Sequence, residues 1–135
     1  MTEEKKNKNS YHDVVIFFVF LRAQKYHIMI VDFADTDLQE LIEYGKNNKY
    51  KKLSKDKVFC AALVSVYNRL LSVESTKELK QFSSLHYEKL KFDRSGQSSV
   101  RIQNGRVERL IFEEFDEGIR ILLLEINESH YGRKK

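Results

Sequence analysis

A carboxylate, an imidazole and a phenol crowd the last stretch of the chain. They are Glu128, His130 and Tyr131, and a basic end of Arg133, Lys134 and Lys135 follows them. Imidazole is suited to proton transfer near neutral pH, which makes His130 the candidate general acid or base. An RNA phosphodiester is cut without a metal when a base removes the 2′-hydroxyl proton, an acid protonates the leaving oxygen, and cations stabilise the charge gathering at phosphorus. Lys91, Arg94, Arg101 and Arg109 supply such cations. Arginine is the better phosphate ligand because its planar fork donates two parallel hydrogen bonds. The competing use of each arginine is a surface ion pair, for instance with Glu108 or Glu113, and a histidine that merely follows a strand serves structure as readily.

Charge placement also favours a polyanion. Between His86 and Arg109, Lys89, Lys91, Arg94, Arg101, Arg106 and Arg109 outnumber Glu88, Asp93 and Glu108. The whole chain carries only +4, so the positive potential gathers in the C-terminal half, and Lys89, Arg94 and Arg106 become candidate RNA-binding residues there. Other chemistries lack their motifs. There is no Gly-rich phosphate loop, C-x-x-C, H-E-x-x-H or G-x-S-x-G, and His12, His27 and His86 do not have metal-ligand spacing. Neither a metal nor a cofactor is expected. Cys60 is the only cysteine and sits among apolar neighbours, which fits a reducing cytoplasm. The apolar run Val14–Leu21 is 8 residues long, well short of the roughly 20 that span a bilayer, and no A-x-A cleavage site follows it. No membrane association is expected.

The elements that must position these residues are legible in part. With 135 residues, 41% of them hydrophobic, the chain can build one domain around one core. Tyr11–Leu21 reads as an isolated strand or short helix, and His27–Phe33 as a strand. Thr36-Asp37-Leu38-Gln39 has capping-box spacing and opens a helix with Leu38, Leu41 and Ile42 on one face, stopped by Gly45 and Asn47-Asn48. Lys46–Lys52 is a basic connector. Phe59, Leu63, Val66, Tyr67 and Leu70 recur at helical spacing and predict the main core helix from about Ser54 to Val73. Ser75-Thr76-Lys77-Glu78, a second capping box, starts a short third helix ending near Phe82.

From Gln97 onward the period is two. Val100 and Ile102 alternate with Ser99, Arg101 and Gln103, and Asn104-Gly105 marks a hairpin. A two-residue loop would put Arg109 on the face of Val100. A three-residue loop with Gly105 left-handed at a bulge instead groups Val100, Ile102, Leu110 and Phe112, and sends Arg101 and Arg109 together to the other face; this register segregates core from surface and is preferred. Asp116-Glu117-Gly118 is the next turn, and Ile119–Asn127 reads as an inner strand covered on both sides.

Taken in order, Leu90-Lys91-Phe92-Asp93-Arg94-Ser95-Gly96-Gln97, Ser99-Val100-Arg101-Ile102, Arg109-Leu110-Ile111-Phe112 and Glu125-Ile126-Asn127-Glu128-Ser129-His130 resemble the HigB branch of the RelE/ParE toxin superfamily, the plasmid maintenance system killer proteins. The likeness covers about Met29 to Gly132. It implies an α+β, RelE-like fold, with an N-terminal strand and two to three helices packed on a C-terminal antiparallel sheet. It further implies the toxin of a type II toxin–antitoxin system, a ribosome-dependent mRNA endonuclease that needs no metal, neutralised in a hetero-oligomer by a helix-turn-helix, HigA-like antitoxin. By the same resemblance His130 is the catalytic histidine, Glu128 its acidic companion, Arg101 and Arg109 the sheet arginines, Lys91 the loop lysine and His86 an upstream RNA-binding histidine. The chain departs from the pattern at Phe92, where a glycine is usual, at Ser129, where an aromatic is usual, and in two extra residues at Asn104-Gly105. Tyr131 would stand in for the missing aromatic by stacking on a base. A noncatalytic, gyrase-inhibiting ParE-like protein and a degenerate RNA-binding relative are the alternatives. Residues 1–28 precede the family's usual start and are expected to be an extension, with the toxin domain at 29–135.

Overall fold

A computed structural model describes residues 29–128. The expectations for residues 1–28, Val14–Leu21 among them, and for Ser129, His130 and Tyr131 lie outside the described residues. The chain order is β1 (Ile30–Phe33), α1 (Thr36–Tyr44), α2 (Lys51–Ser54), α3 (Lys57–Ser72), 3-10 turns at Thr76–Gln81 and Ser83–Leu85, β2 (Glu88–Lys89), a 3-10 turn at Phe92–Arg94, β3 (Gln97–Arg101), β4 (Arg109–Phe115), a 3-10 turn at Asp116–Gly118 and β5 (Arg120–Asn127). The architecture is α+β: helices pack on a 5-stranded sheet in the order β1-β5-β4-β3-β2. The sheet is mixed rather than antiparallel throughout. β2 to β5 are joined by short connections and pair antiparallel, but β1 reaches β5 only through the helices and pairs with it parallel.

Caps fix where the helices begin. Asp35, in extended backbone (φ −124°, ψ 114°), accepts from the Asp37 N–H at 2.9 Å. The cap of α1 is therefore Asp35 and not Thr36, and Gln39 donates forward to Glu43 instead of back to the cap, at 3.1 Å. Gly45 ends the helix in the left-handed conformation (φ +77°), as its position predicts. α3 begins at Lys57, three residues after Ser54, because Asp56 takes the Phe59 N–H at 3.0 Å, while Ser54 Oγ is engaged with the Tyr50 carbonyl at 2.8 Å. Phe59, Leu63, Val66 and Leu70 are buried as the spacing predicts, and half-buried Tyr67 stacks on Phe33 with centroids 5.6 Å apart. The basic connector is partly helical, forming α2. The third helix is a 3-10 turn, capped by Ser75 as expected, with Glu78 accepting from the Glu74 N–H.

In the hairpin, Val100 pairs with Leu110 and Arg101 with Arg109, the register that segregates core from surface. Gly105 is left-handed (φ +83°), but the connection runs from 102 to 108, longer than three residues, because strand pairing stops at Arg101 and Arg109. β5 is an interior strand with one fully buried face rather than two. Ile111 pairs with Glu125 and Phe112 with Leu123, so Leu124 is the extra residue of a bulge. The shift lets Ile121, Leu123 and Ile126 all face the core despite their mixed parity, and leaves Leu122 and Leu124 half-buried.

Beneath the edge of the sheet lies a buried polar knot. Glu114 accepts hydrogen bonds from Thr76 at 2.9 Å, from Ser98 at 2.6 Å and from Tyr87, whose ring stacks on Phe112. Burial pushes the Glu114 carboxyl up, but the Ser98, Tyr87 and Thr76 donors together outweigh it and leave its pKa below the ordinary 4.5. Burial, aided by Glu114, pushes Tyr87 up to about 12. Because Glu114 binds its proton less tightly when folded, its contribution is present above its unfolded pKa and is lost as pH falls through the lowered value. Urea unfolding from pH 6 to 2 should therefore show a shallower loss of stability below pH 4.5 in Glu114→Gln than in the parent protein. Parallel curves would mean that other carboxylates carry the acid sensitivity.

Candidate functional site

Three of the expected site residues, Arg101, Arg109 and Glu128, gather at one end of the sheet. Arg101, Arg109 and Asn127 form a row across β3, β4 and β5, and Glu128 follows as the last described residue, exposed. Non-local contacts bring the helix beginnings to the same end. The Ile126 N–H donates to Tyr50 Oη at 3.4 Å, Asp35 holds Lys49 at 3.1 Å, and Arg106 reaches Asp56 at 2.6 Å. Arg101, Arg109 and Glu128 thus sit at the end where β5 leaves the sheet, and Lys91 lies at the other end of β3.

The cations of this region meet different fates. Arg109 is clamped: Nε donates to Ser99 Oγ at 2.8 Å, one terminal nitrogen donates to the His86 carbonyl and lies 3.9 Å from Glu88, and the side chain is only 16% exposed. It fastens the segment before β2 to the sheet and holds His86 in a left-handed conformation (φ +45°) with its side chain exposed. Arg94 reaches over the row Ser99, Ile111 and Glu125 to pair with Glu125 at 3.1 Å, and donates to Gln97 at 2.8 Å. Ile111 is fully buried on that face, outside the main core. Lys89 is exposed, 3.9 Å from Glu114.

Arg106 departs furthest from its expected role. It grips Glu108 through two nitrogens, at 3.1 and 2.9 Å, takes Asp56 with the third, and lies 5.0 Å from the centroid of the Phe59 ring. Its hydrogen bonds to Glu108 and Asp56 push its pKa up, and the Arg106 hydrogen bond holds Asp56 below the usual carboxylate range. Arg106 is a tether between the 102–108 loop and the start of α3, with three of its five N–H donors engaged there. Arg101 is different. It is half-exposed, donates to Asn104 at 3.4 Å and has no ion pair among the described residues. Lys91 is exposed and likewise unpaired among the described residues. Beside it Phe92 is 88% exposed in a left-handed conformation (φ +60°), where a glycine would be free of strain.

No family model matches the chain, and no curated protein matches it. Solved structures do. It is similar to bacterial toxin chains. A chain of the YoeB–YefM complex from Staphylococcus aureus is 22% identical, with a TM-score of 0.42, over 76% of this chain and 98% of that one. The YoeB/ParE toxin from Agrobacterium tumefaciens is 16% identical, with a TM-score of 0.44, over 75% of this chain and 99% of that one. A chain of the toxin–antitoxin complex RelBE2 from Mycobacterium tuberculosis is 15% identical, with a TM-score of 0.42, over 76% and 99%.

Chemically, the described part of the site offers one half-free guanidinium at Arg101, one exposed ammonium at Lys91 and an exposed carboxylate at Glu128. No group of three His, Cys, Asp or Glu side chains able to hold a metal occurs among the described residues. No described helix is long and apolar enough to cross a membrane. Ser99, Glu125 and Asp56, the partners that hold three of the candidate arginines, do not stand out in the sequence as site residues. The only advance signals were a serine alternating within an apolar strand and an acid within an apolar run.

Proposed function

We propose that this chain is the toxin of a type II toxin–antitoxin pair, a HigB-like, ribosome-dependent mRNA endonuclease acting in the cytoplasm and neutralised by a helix-turn-helix antitoxin. The toxin domain spans residues 29–135, and residues 1–28 are an extension to it. The observation that carries this reading is the row Arg101, Arg109 and Asn127, which ends on Glu128 with only Ser129 before His130 in the sequence. In the reaction His130 moves the proton, Glu128 orients it, and Arg101 and Lys91 take the non-bridging phosphate oxygens as charge builds on them. Arg109, held by Ser99 and the His86 carbonyl, is a positioning residue that keeps the row in place. Lys89, Arg94 and His86 border the RNA path, and Tyr131 stacks on a base.

Expressed without its antitoxin, the protein should stop growth by stopping translation. Pulse labelling should show protein synthesis falling before RNA or DNA synthesis, and primer extension should show cuts within translated mRNA. Undiminished translation with inhibited DNA supercoiling would replace this reading by the gyrase-directed one.

A further inference from the structure

Six arginines lie among the described residues, and four of them, Arg94, Arg106, Arg109 and Arg120, are in ion pairs with carboxylates. The other two, Arg69 from α3 and Arg101 from β3, line the same cavity of about 170 Å³. Its other polar walls are Ser65, Ser84 and Asn104, and no carboxylate among the described residues lines it. Arg69 is not a loose side chain, for its guanidinium lies 4.5 Å from the centroid of the Phe82 ring. Two cations with no counter-ion among the described residues, opening on one polar cleft, repel each other, and an anion between them removes that cost. The ligand is thereby narrowed. Guanidinium forks and serine hydroxyls are hydrogen-bond donors matched to the oxygens of a phosphate, whereas an apolar ligand would leave both forks unpaired.

We propose that the cleft between α3 and the end of β3 binds a backbone phosphate of a single-stranded polynucleotide, with Arg69 as a binding residue beside Arg101. This rests on the RNA-cutting reading for the identity of the strand, and it extends that reading by giving the strand a direction, from Arg101 across α3 and away from Lys91. Arg101 then lies between the phosphate that is cut and the neighbouring one in the cleft, and Arg69 holds only the neighbouring one, without touching the bond that breaks. Its loss should weaken binding and raise KM, with little effect on kcat.

Binding of a labelled 10-nucleotide RNA to the full chain, followed by anisotropy at stepped salt and without ribosomes, tests this. Arg69→Gln should bind about 10-fold more weakly, and its log–log salt slope should be shallower by about 0.7, the value of one single-strand phosphate contact. Arg69→Lys should recover the slope but only part of the affinity, because it restores the charge without the fork. Melting curves show whether each variant is folded. A folded Arg69→Gln protein with unchanged affinity and slope overturns the proposal. Saturable binding of inorganic phosphate that depends on Arg69, with an unchanged RNA slope, also overturns it by assigning the cleft to a free anion. RNA binding that depends on Arg69 in a protein that cuts nothing would keep this inference and sink the endonuclease.

Discussion

A His130→Ala protein is expected to fold, to bind ribosomes nearly as its parent does, and to cut mRNA about 10²- to 10⁴-fold more slowly. That range is what a positioned general acid or base contributes. Binding is expected to survive because it rests on charge distributed over several side chains. Folding is expected to survive because Glu128, Ser129, Gly132 and Arg133 around the histidine offer a core little to bury, and substitutions in such settings usually change stability by less than about 0.5 kcal/mol. Arg101→Ala gives the contrast. Its guanidinium serves the phosphate in both ground and transition states, so both ribosome pelleting and cleavage should fall. Cleavage on purified ribosomes, pelleting and a melting curve, run on both variants, separate lost catalysis from lost binding and from unfolding. Full cleavage by a folded His130→Ala protein would pass the proton-transfer role to Lys91, Glu128 or Tyr131.

Gly118→Ala should be the most destabilising single-methyl change in the β4–β5 turn, costing about 2 to 5 kcal/mol. Two causes add. The backbone at Gly118 has φ +87°, where a side chain costs about 1 to 2 kcal/mol. A Cβ there would also stand 2.2 Å from Thr76 Oγ1, and overpacking of that kind costs about 1 to 3 kcal/mol more. Thr76 has little room to yield, since its hydroxyl donates to Glu114 within the buried knot. Urea unfolding measures the loss. In a Thr76→Ala background the 2.2 Å collision with Oγ1 disappears and only the contacts with N and Cβ of residue 76, at 3.3 and 3.4 Å, remain, so Gly118→Ala should then cost mainly the backbone part. Asp116 and Glu117 are also left-handed (φ +54° and +58°), and Glu117→Gly should be neutral or slightly stabilising by the same logic. An equal penalty for Gly118→Ala with and without Thr76 would show that the backbone, and not the contact, sets the cost.

Local periodicity carried the sequence reading a long way. The apolar faces Leu38, Leu41, Ile42 and Phe59, Leu63, Val66, Leu70, the left-handed Gly45, and the hairpin parity that pairs Arg101 with Arg109 all appear in the structure. Each depends on backbone geometry that repeats within a few residues, so the order of residue types is enough to specify it. Where two adjacent residues had the same chemistry, order was not enough. Asp35 and Thr36 are both able to cap α1, and the cap fell to the residue left extended where β1 ends. β2, of 2 residues, has no period to read, and the parallel pairing of β1 with β5 joins the two ends of the described chain.

The candidate site divides along the same line. Sequence supplied its residue types and brought Arg101 and Arg109 to one face, but the arginines along 86–109 are chemically alike and only the tertiary structure sorts them. Arg106 meets Asp56 across 50 positions, Arg94 meets Glu125, Arg109 is held by Ser99 and the His86 carbonyl, and Arg101 and Arg69 are left open on one cleft. A guanidinium is neutralised by whichever carboxylate lies within about 4 Å, and that distance is set by how distant segments pack rather than by what precedes or follows the arginine in the chain.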